Sequence, residues 1–134
     1  MRWFSLLFFT LLASPSLGSD DVLSAEEFDA LATGKTLFFS RHGNPYGAEE
    51  YRRDRSVVWS YLNGECQYGQ WMPGPDQSIC FVYEFRPNEP ICWTFFREDG
   101  DIQARVLGAA PEDDLTLTGE HRGPLECRGP DIGV

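Results

Sequence analysis

Over much of this chain apolar and polar residues alternate with a period of two, the signature of strands with one buried face. The clearest run is Ile79-Cys80-Phe81-Val82-Tyr83-Glu84-Phe85. It sets Ile79, Phe81, Tyr83 and Phe85 on one face and Cys80, Val82 and Glu84 on the other. Arg86-Pro87-Asn88-Glu89-Pro90 interrupts the pattern, and Ile91-Cys92-Trp93-Thr94-Phe95-Phe96 resumes it. Asp99-Gly100 is a preferred two-residue hairpin turn. It joins Ile91–Glu98 to Asp101–Leu107 and places Trp93 opposite Val106 and Phe95 opposite Ala104. Trp93, Phe95, Ile102, Ala104 and Val106 then share one face, and Cys92, Thr94 and Phe96 share the other.

The remaining strands are shorter. Lys35–Ser40 carries Leu37, Phe38 and Phe39. Ala48–Arg53 is charged, with only Tyr51 to bury, and is expected at an edge. Val57–Leu62 leads into Asn63-Gly64, a second two-residue turn signal. That register has Tyr61 facing Cys66 and Trp59 facing Tyr68. Pro73-Gly74-Pro75-Asp76 breaks the chain before the central pair, and Leu115–Thr118 is a last short strand.

One helix is expected. Ser24 and Glu27 have the spacing of a capping box, with Leu23 and Phe28 at the staple positions. Phe28, Leu31 and Ala32 form an apolar stripe, and Gly34 offers a stop. About ten residues long, the helix would cover an edge or plug one end. The predicted fold class is therefore all-β with one short N-terminal helix. It is an antiparallel up-and-down meander of about seven or eight strands, closed into a lipocalin-like barrel or left as a strongly curved sheet. No helix-length pattern separates the later strands, so a parallel α/β sheet is disfavoured.

Met1-Arg2, the apolar run Trp3–Leu12 and the small residues before Ser19 have the form of a signal peptide, 1–18, cleaved after Gly18. A single disulfide-stabilised β-rich domain, 19–134, would remain, periplasmic or secreted and without a membrane span. The full chain has a formal charge of −10, and loss of Arg2 makes it one unit more acidic. Nucleic acid and anionic membranes are disfavoured as partners; a cationic protein is compatible.

The chain's four cysteines, Cys66, Cys80, Cys92 and Cys127, fit two disulfides in an exported domain. No CxxC pair suggests a metal. Cys80 and Cys92 both point away from the aromatic face if their strands pair in register. That favours Cys80–Cys92 and, by elimination, Cys66–Cys127, which would pin the Gly- and Pro-rich tail. The spacing alone leaves the other pairings open.

No catalytic set is assigned and no cofactor is implied. There is no G-x-S-x-G elbow and no free thiol. Glu49-Glu50 and Glu112-Asp113-Asp114 read as solvated charges. The aromatic face is the remaining candidate. Trp59, Tyr61, Tyr68, Phe81, Tyr83, Trp93 and Phe95 either fill a core or line a pocket for a small apolar ligand. Tyr61, Tyr68 and Tyr83 would orient such a ligand through their hydroxyls. An acidic module that binds a basic hydrolase through an exposed loop, His42–Tyr46 or Pro73–Gln77, is the alternative.

Two resemblances bear on this. Arg41-His42-Gly43-Asn44 after a strand resembles the histidine phosphatase signature. That likeness implies His42 as nucleophile, Arg41 as phosphate clamp and His121 as second histidine, on a fold of alternating strands and helices. Bottom-up, Arg41–Gly47 reads as a polar loop rich in turn residues. The larger resemblance rests on Ser24–Phe28, Gly64–Cys66, Gly69–Trp71, Ile79–Tyr83 and Cys92–Phe96 together. In these the chain resembles small exported β-rich proteins of Gram-negative bacteria, a likeness that implies a periplasmic or secreted domain and carries no established activity.

Overall fold

The computed structural model describes residues 21–127. The expected signal peptide, 1–18, lies outside the described residues. The chain folds as helix α1 (Ala25–Ala32) followed by eight strands: β1 (Lys35–Arg41), β2 (Asn44–Tyr51), β3 (Ser56–Ser60), β4 (Gln67–Pro73), β5 (Ile79–Tyr83), β6 (Ile91–Glu98), β7 (Asp101–Val106) and β8 (Leu115–His121). Neighbours in sequence pair antiparallel, and β8 pairs back onto β1, closing a barrel. The expected all-β meander with one helix is thus a closed barrel.

α1 begins where its capping box places it. The Ser24 hydroxyl accepts from the Glu27 amide, and the Glu27 carboxylate accepts from the Ser24 amide. These contacts satisfy two of the orphan donors at the helix start. Gly34 follows the helix with φ +84°, and its amide donates to the Tyr51 carbonyl. The helix therefore turns straight into β1 and lies across the end of the barrel where β1 starts. Its Phe28 is fully buried and packs on Tyr51, Trp71, Phe81 and Phe95, with ring centroids 4.6 Å apart for the closest, Phe95. Phe28 is the plug of that end.

The sheet turns its corners at two irregularities in β1. One lies against β2 between Phe39 and Ser40, the other against β8 between Phe38 and Phe39. The first leaves Tyr46 as the extra residue, the usual way a bulge re-aims a side chain. The β5–β6 seam is short, with three register pairs, and Cys80 lies opposite Cys92 in it. Their disulfide staples that seam. Past its end, residues 21–23 take over beside β6: the Leu23 amide donates to the Phe95 carbonyl and the Arg97 amide to the Asp21 carbonyl. After β8 the tail folds back over the outer face of β1–β3. Thr36 donates to the Gly123 carbonyl, the Leu125 amide donates to Glu50, and Cys127 bonds Cys66. Beneath this strap Thr36, Ala48, Val58 and Ser60 are buried although they point outward.

Three sequence expectations are corrected. Ala48–Arg53 is not an edge strand; β2 spans Asn44–Tyr51 between β1 and β3. Arg41–Gly47 is not a loop. His42 and Gly43, both at positive φ, form the β1–β2 hairpin turn, and Asn44–Gly47 lie in β2. Asn63-Gly64 does not close a two-residue turn. Leu62 and Gly64 take positive φ, the Asn63 side chain accepts from the Glu65 amide, and the connection runs 61–66. β3 and β4 therefore pair as Trp59↔Gln67 and Val58↔Tyr68. A slip of one residue exchanges the two faces of a strand. Trp71 points inward, and Tyr68 points outward, 44 % exposed. The Asp99-Gly100 register and both disulfides fall where expected.

If Phe28 is the plug, Phe28→Ala costs about 3–5 kcal/mol, the range for a buried phenylalanine truncation. Urea unfolding of the oxidised protein reads this as a lowered midpoint. A loss below about 1 kcal/mol, the size of an ordinary substitution, would show that the ring is not seated as described.

Candidate aromatic cavity

The barrel is filled at one end and hollow at the other. From the end that carries the 61–66 and 84–90 connections, a cavity of about 420 Å³ runs inward, with Tyr46, Tyr61, Phe85, Arg86, Glu89 and Ile91 among its lining residues. Trp59, Tyr83 and Trp93 form its walls, and Phe39, Phe81, Phe95, Ala104 and Leu115 also line it. Phe81 and Phe95 rest on Phe28, so the helix supports the floor.

The period-two alternation puts these side chains inside. Trp59 can lie across β2 because residue 47 is glycine: a Cβ there would fall 2.4 Å from the indole. The bulge brings Tyr46 beside Trp59 and Tyr61, with ring centroids 6.0 and 5.6 Å apart. Tyr83 stacks between Phe81 and Phe85. Arg41 stacks on Tyr46, its guanidinium carbon 4.3 Å from the ring centroid. At the mouth Arg86 pairs with Glu89 at 3.5 Å, and Phe85 and Tyr61 are half exposed.

Glu49 departs from the solvated position expected for it. It is not solvated: it lines the cavity and is 3 % exposed. Its register partners are Leu37 on β1 and Trp59 on β3, neither of which offers a countercharge. The Tyr83 hydroxyl donates to its Oε2, and the Tyr51 hydroxyl is its other polar neighbour. Burial outweighs both contacts and pushes its pKa up from 4.5 to about 7. Burial and the adjacent carboxyl raise the Tyr83 and Tyr51 phenols well above the ordinary range. Glu50, its sequence neighbour, faces outward to Arg52 and the tail.

Of the predicted lining residues, Trp59, Tyr61, Phe81, Tyr83, Trp93 and Phe95 are brought together around one space, and Tyr68 is not. Phe39, Tyr46, Glu49 and Phe85 join them. The histidines do not meet. His121 pairs with Thr36 near the start of β1, whereas His42 follows its end. Most of a strand, roughly 17 Å at about 3.3 Å per residue, separates the two.

These features define a class: a small disulfide-stapled antiparallel barrel with an aromatic cavity open at one end. Beyond that class, comparison with known proteins adds no relative: no family model, curated protein or solved structure matches the chain.

Glu49 makes stability depend on pH. Its folded pKa, about 7, lies above the unfolded 4.5, so between these values the folded state binds more protons. Stability from this group is fully present below pH 4.5 and is lost as pH rises through 7. The upward shift corresponds to roughly 3 kcal/mol. Glu49→Gln, which keeps the shape and cannot ionise, is expected to unfold at similar urea concentrations at pH 5 and 8. The wild type falls behind it by about that amount at pH 8. Equal pH dependence in the two proteins would contradict the burial of the carboxyl.

Proposed function

We propose that the protein is a non-enzymatic binding domain that holds one small, largely apolar ligand in the barrel. The cavity carries this reading. An eight-stranded barrel is the size at which the interior either fills with side chains or retains room for one small ligand. Here about 420 Å³ stays open behind an aromatic mouth, within the usual range of ligand pockets. The two disulfides suit an oxidising compartment. With the expected signal peptide they support a periplasmic or secreted site of action.

One observation favours the second reading, an acidic module that binds a cationic protein. The 74–78 connection is tightly bent, with its tip, Pro75–Gln77, exposed and Asp76 and Gln77 at φ +54° and +58°. The Gly74 amide donates to the Ser78 carbonyl, and the loop adjoins the Cys80–Cys92 bridge. It has the form of a rigid contact loop, but it presents few apolar groups. The ligand reading accounts for more of the aromatic residues.

The uncharged fluorophore N-phenyl-1-naphthylamine tests the cavity. It is expected to bind with a stoichiometry of one. Tyr61→Ala and Phe85→Ala, both at the exposed mouth, should each weaken it by roughly tenfold, on the order of one buried aromatic contact. Tyr68→Ala, on the outer face, should leave it unchanged. No binding, or equal loss at Tyr68, would count against the cavity as a site.

A further inference from the structure

The walls of the cavity are apolar, yet a carboxyl sits deep within it. Among the described residues the charged groups lining the space are Glu49, Arg86 and Glu89. Arg86 and Glu89 pair with each other at the mouth and are mostly exposed. Glu49 therefore has no cation of its own. Its neighbours on the flanking strands are Leu37 and Trp59, and its polar contacts are two phenols.

A carboxylate accepts about four hydrogen bonds, and two phenols supply at most two. Removing such a group from water without a countercharge is costly. A ligand that brings a cation would complete the arrangement. The walls suit the same ligand, because faces of tryptophan and tyrosine rings attract ammonium groups. The net charge of −10 also draws cations toward the molecule.

We propose that the cavity takes a small aromatic amine. Its protonated nitrogen lies against Glu49, and its ring lies between Trp59, Tyr83 and Trp93. This inference rests on the reading of the cavity as a ligand site and names the chemical class of its occupant. The groups whose charge state enters are Glu49 and Tyr51 on β2, Tyr83 on β5, and Arg86 and Glu89 at the mouth. Arg41, stacked on Tyr46, is the other charged side chain beside the cavity.

The test is competition against N-phenyl-1-naphthylamine with two probes that differ in one group, 2-phenylethylamine and 2-phenylethanol. At pH 8 the amine should displace the fluorophore at least tenfold more effectively than the alcohol, the scale of one cation held by a buried carboxylate and aromatic faces. At pH 5, with Glu49 protonated, that preference should shrink by about tenfold or more. Glu49→Gln should weaken the amine at least tenfold more than it weakens the alcohol. Equal displacement by the two probes at pH 8, or a preference that survives Glu49→Gln, overturns the inference while bound fluorophore leaves the ligand reading standing. Failure of all three compounds to bind overturns both.

Discussion

The structure depends on one ring. An eight-stranded barrel must have its interior occupied, and here the strands alone do not fill it. Phe28 enters from α1 and meets Tyr51, Trp71, Phe81 and Phe95 edge-on or tilted. Edge-to-face contacts of this kind add to the gain from burial. The capping box fixes where the helix starts, and Gly34 fixes where it turns into β1. The ring thus packs against Tyr51, Phe81 and Phe95, which line the inner end of the cavity. The floor of the cavity is the far side of the Phe28 cluster.

A hollow half gains less from packing than a filled one, and covalent and polar ties reinforce the thin seams of the barrel. The Cys80–Cys92 bridge crosses the short β5–β6 seam. At the still shorter β7–β8 seam, which has two register pairs, the Arg105 guanidinium grips Asp114 through two bonds of 2.7 and 2.6 Å. The Cys66–Cys127 bridge anchors the connection that carries Tyr61. In each case the tie lies at a place where backbone pairing is sparse, so the barrel keeps a defined shape without a fully packed interior to support it.

Much of this was legible in the sequence. Alternation gave Phe81, Tyr83, Trp93 and Phe95 their common face, and Asp-Gly gave the β6–β7 register. The same alternation set Cys80 and Cys92 on the outward face and so favoured their pairing. What failed were turns with unfamiliar chemistry. His42-Gly43 adopts a two-residue turn that the His-Gly pair does not advertise, while Asn63-Gly64, which does advertise one, lies within a longer loop held by its own side chain and the Cys66 bridge. The second misreading shifted β4 by one residue, exchanged Tyr68 for Trp71 and could not be detected from alternation alone. Glu49 was within reach. It stands two residues before Tyr51, so the period that buries one buries the other. A charged residue is rarely buried without a partner, and that general rule outweighed the local pattern.

The exception is informative because it opposes stability. A leucine or glutamine at position 49 would satisfy the same space without the desolvation that lifts the carboxyl toward neutral pH. Neighbouring Glu50 shows what an acid on this strand does when it faces outward: it pairs with Arg52 and accepts from the tail. Two adjacent acids thus have opposite surroundings, one stabilising the strap and one weakening the fold. Structural ion pairs also perturb titration, but among the described residues Glu49 has no ionic partner to explain its place. A carboxyl held inside an aromatic space at a cost to the fold is the pattern expected of a group retained for what enters that space. In the ligand reading proposed above, the walls set the size and aromatic character of the occupant, and Glu49 sets its charge.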